Sequence, residues 1–190
     1  VWQGFVFVNL DGTAPPLAPR LASALPYIEN YHLEEMHFNF TSEEVWETNW
    51  KCLVENAMEG YHLSRVHPST LQSTPTELCE KIPGDDAYTG YRSHYPPESP
   101  QREPYHPDLT ETEKRCSTYL CVFPSFIVGI GPHGAVYQCI RPVSVDRLVT
   151  KWGFVSFGGT AGSVGMAQWK EAVRGANAED REILEGLSVG

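Results

Sequence analysis

The chain is 190 residues long, 41% apolar and 20% charged, with a formal net charge of −10. That is enough chain for one sizeable core. The absence of clustered Lys and Arg argues against nucleic-acid binding, and no apolar run of about 18 residues is present to form a membrane-spanning helix. Five cysteines, an odd number with no CxxC pair, do not read as a disulfide framework and fit a reducing, cytoplasmic setting.

The chain opens on "VWQGFVFVNLDG", without the basic n-region of a signal peptide, as though it continued from something upstream. Residues 1–10 alternate and are rich in Val and Phe, which predicts a strand. Leu17, Leu21, Leu25 and Ile28 follow at helical spacing, with Pro26 shortening that helix. "HLEEMHFNFTSEEVWETN" predicts two short strands around a polar turn. Helical spacing returns over residues 49–65 through Trp50, Leu53, Val54, Ala57, Met58 and Tyr61. Residues 68–115, rich in Pro, Ser, Gly and charge, show no clear element, and a loop that long is usually a functional lid or disordered. Three strand-like runs then suggest an antiparallel meander, and residues 166–187 a long helix carrying Trp169, Val173, Ile183 and Leu187. The order predicts an α+β fold with helices packed on an antiparallel sheet.

The segment "ENAMEGYHLSRVHP", residues 55–68, carries the chemistry. Two imidazoles and a carboxylate are the ligand set of an open non-haem ferrous site. On an ideal helix, residues five apart diverge by about 140°, so His62 and His67 can share one ion only if the helix loosens or ends between them. Pro68 predicts such an end, because the residue before proline avoids the helical region. Glu59 lies one turn before His62, on the same face, where it could accept the N–H of the ring nitrogen that does not bind metal. The plainer reading is two helix-end histidines beside acidic neighbours, since H-x4-H alone is a weak pattern.

The surroundings favour the metal. "NWKCLVENAMEGYHLSRVH" resembles the catalytic domain of Rieske-type non-haem iron oxygenases, the ring-hydroxylating oxygenase large subunits. Asn49-Trp50-Lys51, Glu55-Asn56, Glu59, His62 and His67 stand where that pattern has NWK, a carboxylate-Asn pair and carboxylate-x2-His-x4-His. The opening looks like the family's exit from its Rieske domain, and "EDREILEGL" like its third-ligand helix. The resemblance implies a helix-grip (START/Bet v 1-like) fold: residues 1–15 the end of an N-terminal Rieske domain and linker, and 16–190 the catalytic domain. It implies mononuclear Fe(II) on His62, His67 and Asp180, with Glu179 and Glu182 as neighbouring competitors for the third position. Glu59 takes the bridging position toward a neighbouring subunit's cluster. Most members have aspartate there, and the glutamate is similar to relatives acting on carnitine-like quaternary amines. Asn56 is expected to hydrogen-bond close to the ligands, Tyr61 and Trp50 to pack. No C-x-H and C-x2-H pair occurs in the chain, so the [2Fe-2S] Rieske cluster would belong to the N-terminal domain, fed from NAD(P)H by a reductase within a homotrimer or α3β3 assembly.

The activity implied is O2-dependent hydroxylation of a small molecule at mononuclear Fe(II), with monooxygenation leading to demethylation or C–N cleavage of a small quaternary ammonium compound ahead of dihydroxylation of an aromatic ring. A metal-free helix-grip binding domain and a zinc hydrolase are the rival classes. The His32/His37 repeat of the spacing reads as coincidence, and His94, His106 and His133 as exposed loop residues. Cys116 and Cys121 read as buried. Of Tyr119, Phe123, Phe126, Tyr137, Trp152 and Phe154, half could line a pocket, whose aromatic faces would suit either a ring or a trimethylammonium group.

Overall fold

The computed structural model describes residues 1–67, 70–71, 75–100, 105–158 and 164–187. After a short helical turn α1 (Leu17–Arg20) and three 3-10 turns, the elements are β1 (His37–Trp46), α2 (Trp50–Ala57), α3 (Leu63–Val66), β2 (Cys79–Ile82), β3 (Tyr88–His94), β4 (Cys116–Val122), β5 (Phe126–Gly131), β6 (Gly134–Ser144), β7 (Arg147–Ser156) and α4 (Val164–Leu187). The strands form a 7-stranded sheet in the order β1-β7-β6-β5-β4-β3-β2, and every pairing is antiparallel. The α+β, helix-grip expectation holds: one sheet, with the long C-terminal helix laid across one face.

Alternation assigns the two faces. On the outer face Leu120, Val122, Phe126, Val128, Ile130 and Ala135 are buried against the N-terminal turns through Leu21, Ala24, Ile28, Tyr31 and Leu33. On the inner face Trp46, Cys121, Ile127, Ile140 and Leu148 meet Leu53 and Val54 of α2 and Leu184 of α4. Burying such a side chain contributes roughly 1.5–3 kcal/mol relative to leaving it in water. The last turn of α4 is tied down as well: the buried Thr48 hydroxyl donates to the Leu184 carbonyl at 3.0 Å, and the Glu47 N–H to Glu185 at 2.9 Å. A carbonyl left orphaned by the helix end thereby gains a partner.

Several expectations change. Residues 1–10 form no strand, only a Trp2–Phe5 bridge. Phe5 and Phe7 dock on Phe126 while Val6, Val8 and Leu10 stay exposed, so the alternation has a face to cover but no neighbouring strand. The helix over 17–30 is one α-turn followed by 3-10 segments, because Pro26 offers no N–H to an α-ladder; Leu21 and Ile28 are buried nonetheless. The two strands expected across 32–49 are a single β1, with a register shift between Phe38 and Phe40. The long loop contains β2 and β3, and the first strand-like run folds back on itself as β4 and β5. Among the described residues no helix is long and apolar enough to cross a membrane.

Candidate metal centre

Helix α2 starts at Asn49, whose side chain accepts the Lys51 N–H at 2.9 Å, a standard N-cap. It ends at Ala57, and the chain breaks over residues 58–62 before α3 begins at Leu63. Gly60 leaves room for Cys79: a Cβ there would displace the Cys79 side chain. Glu59 organises the restart, since its Oε2 accepts the backbone N–H of Tyr61 at 2.6 Å and of His62 at 3.1 Å. Its Oε1 contacts His62 Nδ1.

His62 and His67 stand at the two ends of the single-turn helix α3. His67 leaves the helical region, with φ −108° and ψ 63°, which swings its ring back so that the two imidazole centroids lie 5.3 Å apart. The loosening expected between them is therefore present; Pro68, to which it was traced, lies outside the described residues. From 112 positions further along the chain, α4 brings two acids to the same place. Asp180 Oδ1 lies 3.2 Å from His67 Nε2 and 3.8 Å from His62 Nε2, and it accepts a hydrogen bond from Asn56 Nδ2 at 2.9 Å. Ligand atoms of His62, His67 and Asp180 all lie within 4.8 Å of one another.

The arrangement has an inner and an outer layer. Each histidine turns Nε2 toward Asp180 and engages a carboxylate through Nδ1, Glu59 for His62 and Glu179, at 3.0 Å, for His67. Glu179 is pinned in turn by the Thr70 hydroxyl at 2.5 Å. Carboxylates in that position fix ring orientation and tautomer and raise imidazole basicity. The cluster is enclosed, with the His67 side chain 1% exposed and that of Asp180 17%. Burial alone would depress the His67 pKa, but Asp180 and Glu179 together outweigh it and hold it above the ordinary histidine value. The Tyr91 phenol nearby is raised well above its ordinary value, first by burial and then by charges that include Glu59 and Asp180.

Of the residues singled out from sequence, His62, His67, Asp180, Asn56 and Glu59 converge here. Glu179, weighed only as a rival ligand, instead supports His67. Adjacent helix positions sit about 100° apart, so neighbouring acids can embrace one ring from two sides, but spacing does not say which ring. Tyr61 is largely exposed rather than packed. Of the six aromatics, Tyr119, Trp152 and Phe154 occupy the inner face, Phe126 and Tyr137 pack on the outer side and Phe123 is exposed in a turn. His37 stays apart from His32, but His106 is not a free loop histidine: it stacks on His32 with centroids 4.1 Å apart. His32, Glu35 and His106 form a second cluster of metal-capable side chains among the described residues. There His32 Nε2 is engaged by Asp108 at 2.8 Å and His106 Nδ1 accepts the Asp108 N–H at 3.3 Å. That acceptance leaves the His106 proton on Nε2, facing Glu35, the pattern of a surface polar network. Cys116 and Cys121 are buried thiols, as expected.

Fold and cluster together define a class: an antiparallel sheet gripped by a C-terminal helix, with two histidines and one carboxylate converging beneath that helix. Residues 30–190 match the family described as ring hydroxylating alpha subunit (catalytic domain), and the chain belongs to that family. Over 70 residues, 37% of this chain and 16% of the relative, it is 34% identical to the glycine betaine monooxygenase oxygenase subunit of Chromohalobacter salexigens. Over 83 residues, 40% of this chain and 21% of the relative, it is 32% identical to the carnitine monooxygenase oxygenase subunit of Acinetobacter pittii. The fold matches the quaternary ammonium Rieske monooxygenase CntA solved with L-carnitine, with a TM-score of 0.78 at 18% identity, over 100% of this chain and 49% of that one. It also matches naphthalene 1,2-dioxygenase from Rhodococcus sp., with a TM-score of 0.75 at 16% identity, over 98% of this chain and 52% of that one. The chain thus spans about half the length of these solved proteins.

Proposed function

We propose that this chain is the catalytic domain of a Rieske-type oxygenase α subunit that hydroxylates a small quaternary ammonium compound at a mononuclear iron held by His62, His67 and Asp180. The observation that carries the reading is the convergence of ligand atoms of His62, His67 and Asp180 within 4.8 Å, both Nε2 atoms facing Asp180 Oδ1 and both Nδ1 atoms already committed to other carboxylates. That donor set fits a ferrous ion with open positions, and the outer carboxylates are the partners such histidines need. When bound, the iron supplies the oxygen chemistry: one atom of O2 enters a C–H bond, which next to nitrogen ends in demethylation or C–N cleavage.

The protein's own contribution is positional. Asn56 fixes the Asp180 carboxylate, Glu179 orients His67 and Glu59 orients His62. Glu59 is also part-exposed at 20%, in keeping with an electron path that enters from a neighbouring subunit. On this reading residues 1–15 are the end of a Rieske domain and its linker, and residues 16–190 the catalytic domain. Electrons pass from NAD(P)H through a reductase and a [2Fe-2S] cluster, in a homotrimer or α3β3 assembly. The unpaired cysteines are in keeping with a cytoplasmic location. The quaternary-amine assignment rests on the two sequence relatives, both named for such substrates, and on the glutamate at position 59.

The test is anaerobic Fe(II) titration followed by ligand binding. About one iron per chain is expected, lost in His62→Ala, and the loaded protein should bind glycine betaine or carnitine in preference to naphthalene. Preference for the aromatic ring would move the assignment to ring dihydroxylation. Failure of the wild-type chain to take up iron would leave a metal-free helix-grip binding domain.

A further inference from the structure

The inner face of the sheet is incompletely filled beneath α4. On the inner face of β4, β5 and β6, Cys121, Ile127 and Ile140 are buried, whereas the cross-strand row Tyr119, Gly129 and Val136, with Gln138 beside it, keeps partial exposure. Central strands under a helix lose all solvent when the layers close tightly. Their partial exposure marks a cleft between the sheet and α4, and it lies on the face of α4 that carries Asp180.

Of the described buried side chains on this face whose polar atoms lack a partner, which include Thr150 on β7, Asn177 is the one that neighbours Asp180 on α4. Asn177 is only 5% exposed. Its Oδ1 accepts the Gln138 Nε2–H at 3.1 Å, while its Nδ2 is buried without a hydrogen-bond partner. Buried amides are normally satisfied, and an unmet donor calls for an explanation. Asn177 precedes Asp180 by three positions, so the two side chains are neighbours on one helix face, with Cβ atoms roughly 5–6 Å apart. Gln138 holds the amide so that its acceptor end is spent and its donor end is free.

We propose that Asn177, positioned by Gln138, anchors the carboxylate end of a short zwitterionic substrate. This rests on the quaternary-amine reading above. The surroundings sort the two ends of such a molecule. Asp180, Glu179 and Glu59 crowd the metal end of the cleft, where an uncoordinated carboxylate would be repelled. The inner-face positions of β4 to β7 carry no Lys or Arg, and the α4 cation over this face, Lys170, lies two turns before Asn177 with its Nζ over the Phe40 ring, so beside Asp180 the donor on offer to an anion is the neutral amide of Asn177. A trimethylammonium group has no hydrogen to donate and seeks carboxylates and ring faces. The stacked Tyr91–Tyr119 and Phe154–Trp169 pairs, with centroids 4.8 Å and 5.0 Å apart, supply such rings. An N-methyl group would then lie toward His62, His67 and Asp180, with the carboxylate about one helical turn away. Asn177 acts through binding and orientation, not as a ligand to the metal.

The experiment uses iron-loaded full-length protein, with glycine betaine and tetramethylammonium as probes and calorimetry as the readout. Wild type should bind both. Asn177→Leu and the isosteric Asn177→Asp, which replaces the free donor with an acceptor, should weaken betaine at least tenfold. In Asn177→Leu, tetramethylammonium affinity and iron content should stay within twofold, whereas the carboxylate added by Asn177→Asp should leave tetramethylammonium binding no weaker than in wild type. Gln138→Leu, which releases the Asn177 amide, should show the same selective loss and serves if the helix variants fold poorly. Betaine affinity retained in all correctly folded variants would overturn the anchor and leave the quaternary-amine reading standing. Wild-type protein that binds neither probe would overturn both.

Discussion

Glu179 and Asp180 are consecutive in the chain yet serve opposite edges of the His67 ring, and exchanging their roles would reverse the consequences of mutating them. Asp180 faces Nε2 of both histidines at 3.2 and 3.8 Å, whereas Glu179 meets only Nδ1 of His67, at 3.0 Å. Glu179→Gln keeps the side-chain length and removes the charge, so it loosens ring orientation without deleting a ligand atom. Loss of such an outer partner typically weakens metal binding 10–100-fold, which is about 1.4–2.8 kcal/mol. Asp180→Ala deletes a ligand atom and strips Asn56 of its acceptor, so its effect should exceed a hundredfold. Anaerobic Fe(II) titration against a competing chelator measures both, with circular dichroism confirming the fold. Equal losses in the two variants, or a loss confined to Glu179→Gln, would refute the assignment of inner and outer carboxylate.

Four further outcomes follow from the packing and the charges. Leu184→Ala should lower unfolding free energy by about 2–5 kcal/mol, because Leu184 is 3% exposed between α4 and the sheet; a urea-melt loss under about 1 kcal/mol would mean that the end of α4 is not docked. Gly153→Ala places a Cβ 2.5 Å from the Phe40 carbonyl, so the β1–β7 pair must give way, at about 1–3 kcal/mol, visible as a lower melting temperature. In the metal-free chain the raised His67 pKa means that its protonated form stabilises the fold fully below the ordinary value of 6.5, a contribution lost as pH rises through the folded value. Melting temperature should therefore fall across that window, and His67→Gln should flatten the slope. Burial pushes the Cys121 thiol to about 12, so alkylation at pH 8 should spare Cys121 until the protein unfolds.

The histidine-bearing stretch was legible because its constraints are local. The five-residue histidine spacing requires a break, and the break is there, at the end of a single helical turn. Glu59 one turn ahead of His62 predicts their contact, and the contact forms. Asp180 was reached through resemblance, since no local rule ties residue 180 to residue 62. The sequence patterns failed where the deciding partner is remote. Residues 1–10 alternate as a strand does, but periodicity names a face to bury and not the strand that would pair with it. β2 and β3 were hidden because "YTGYRSH" interrupts its aromatics with glycine and charge, and β2 is only 4 residues long. The role of Glu179 depends on which way two adjacent side chains point, and α4 carries further acids, Glu171, Glu182 and Glu185, from which spacing alone does not single it out. Asn177 reads in sequence as an ordinary helix polar residue, and only the tertiary structure shows its amide buried against Gln138.

An ion gripped by residue 180 and by residues 62 and 67 would also be a cross-link, closing a loop of more than half the polypeptide. Such closures stabilise by restricting the unfolded chain, and an ion that binds only the folded form adds RT ln(1 + [L]/Kd). Loading would then be felt along α4 as rigidity, reaching the cleft that its other residues line. Stripping the ion should free that helix before the sheet melts, so that hydrogen exchange rises first in α4 and α3 while β4 to β7 stay protected.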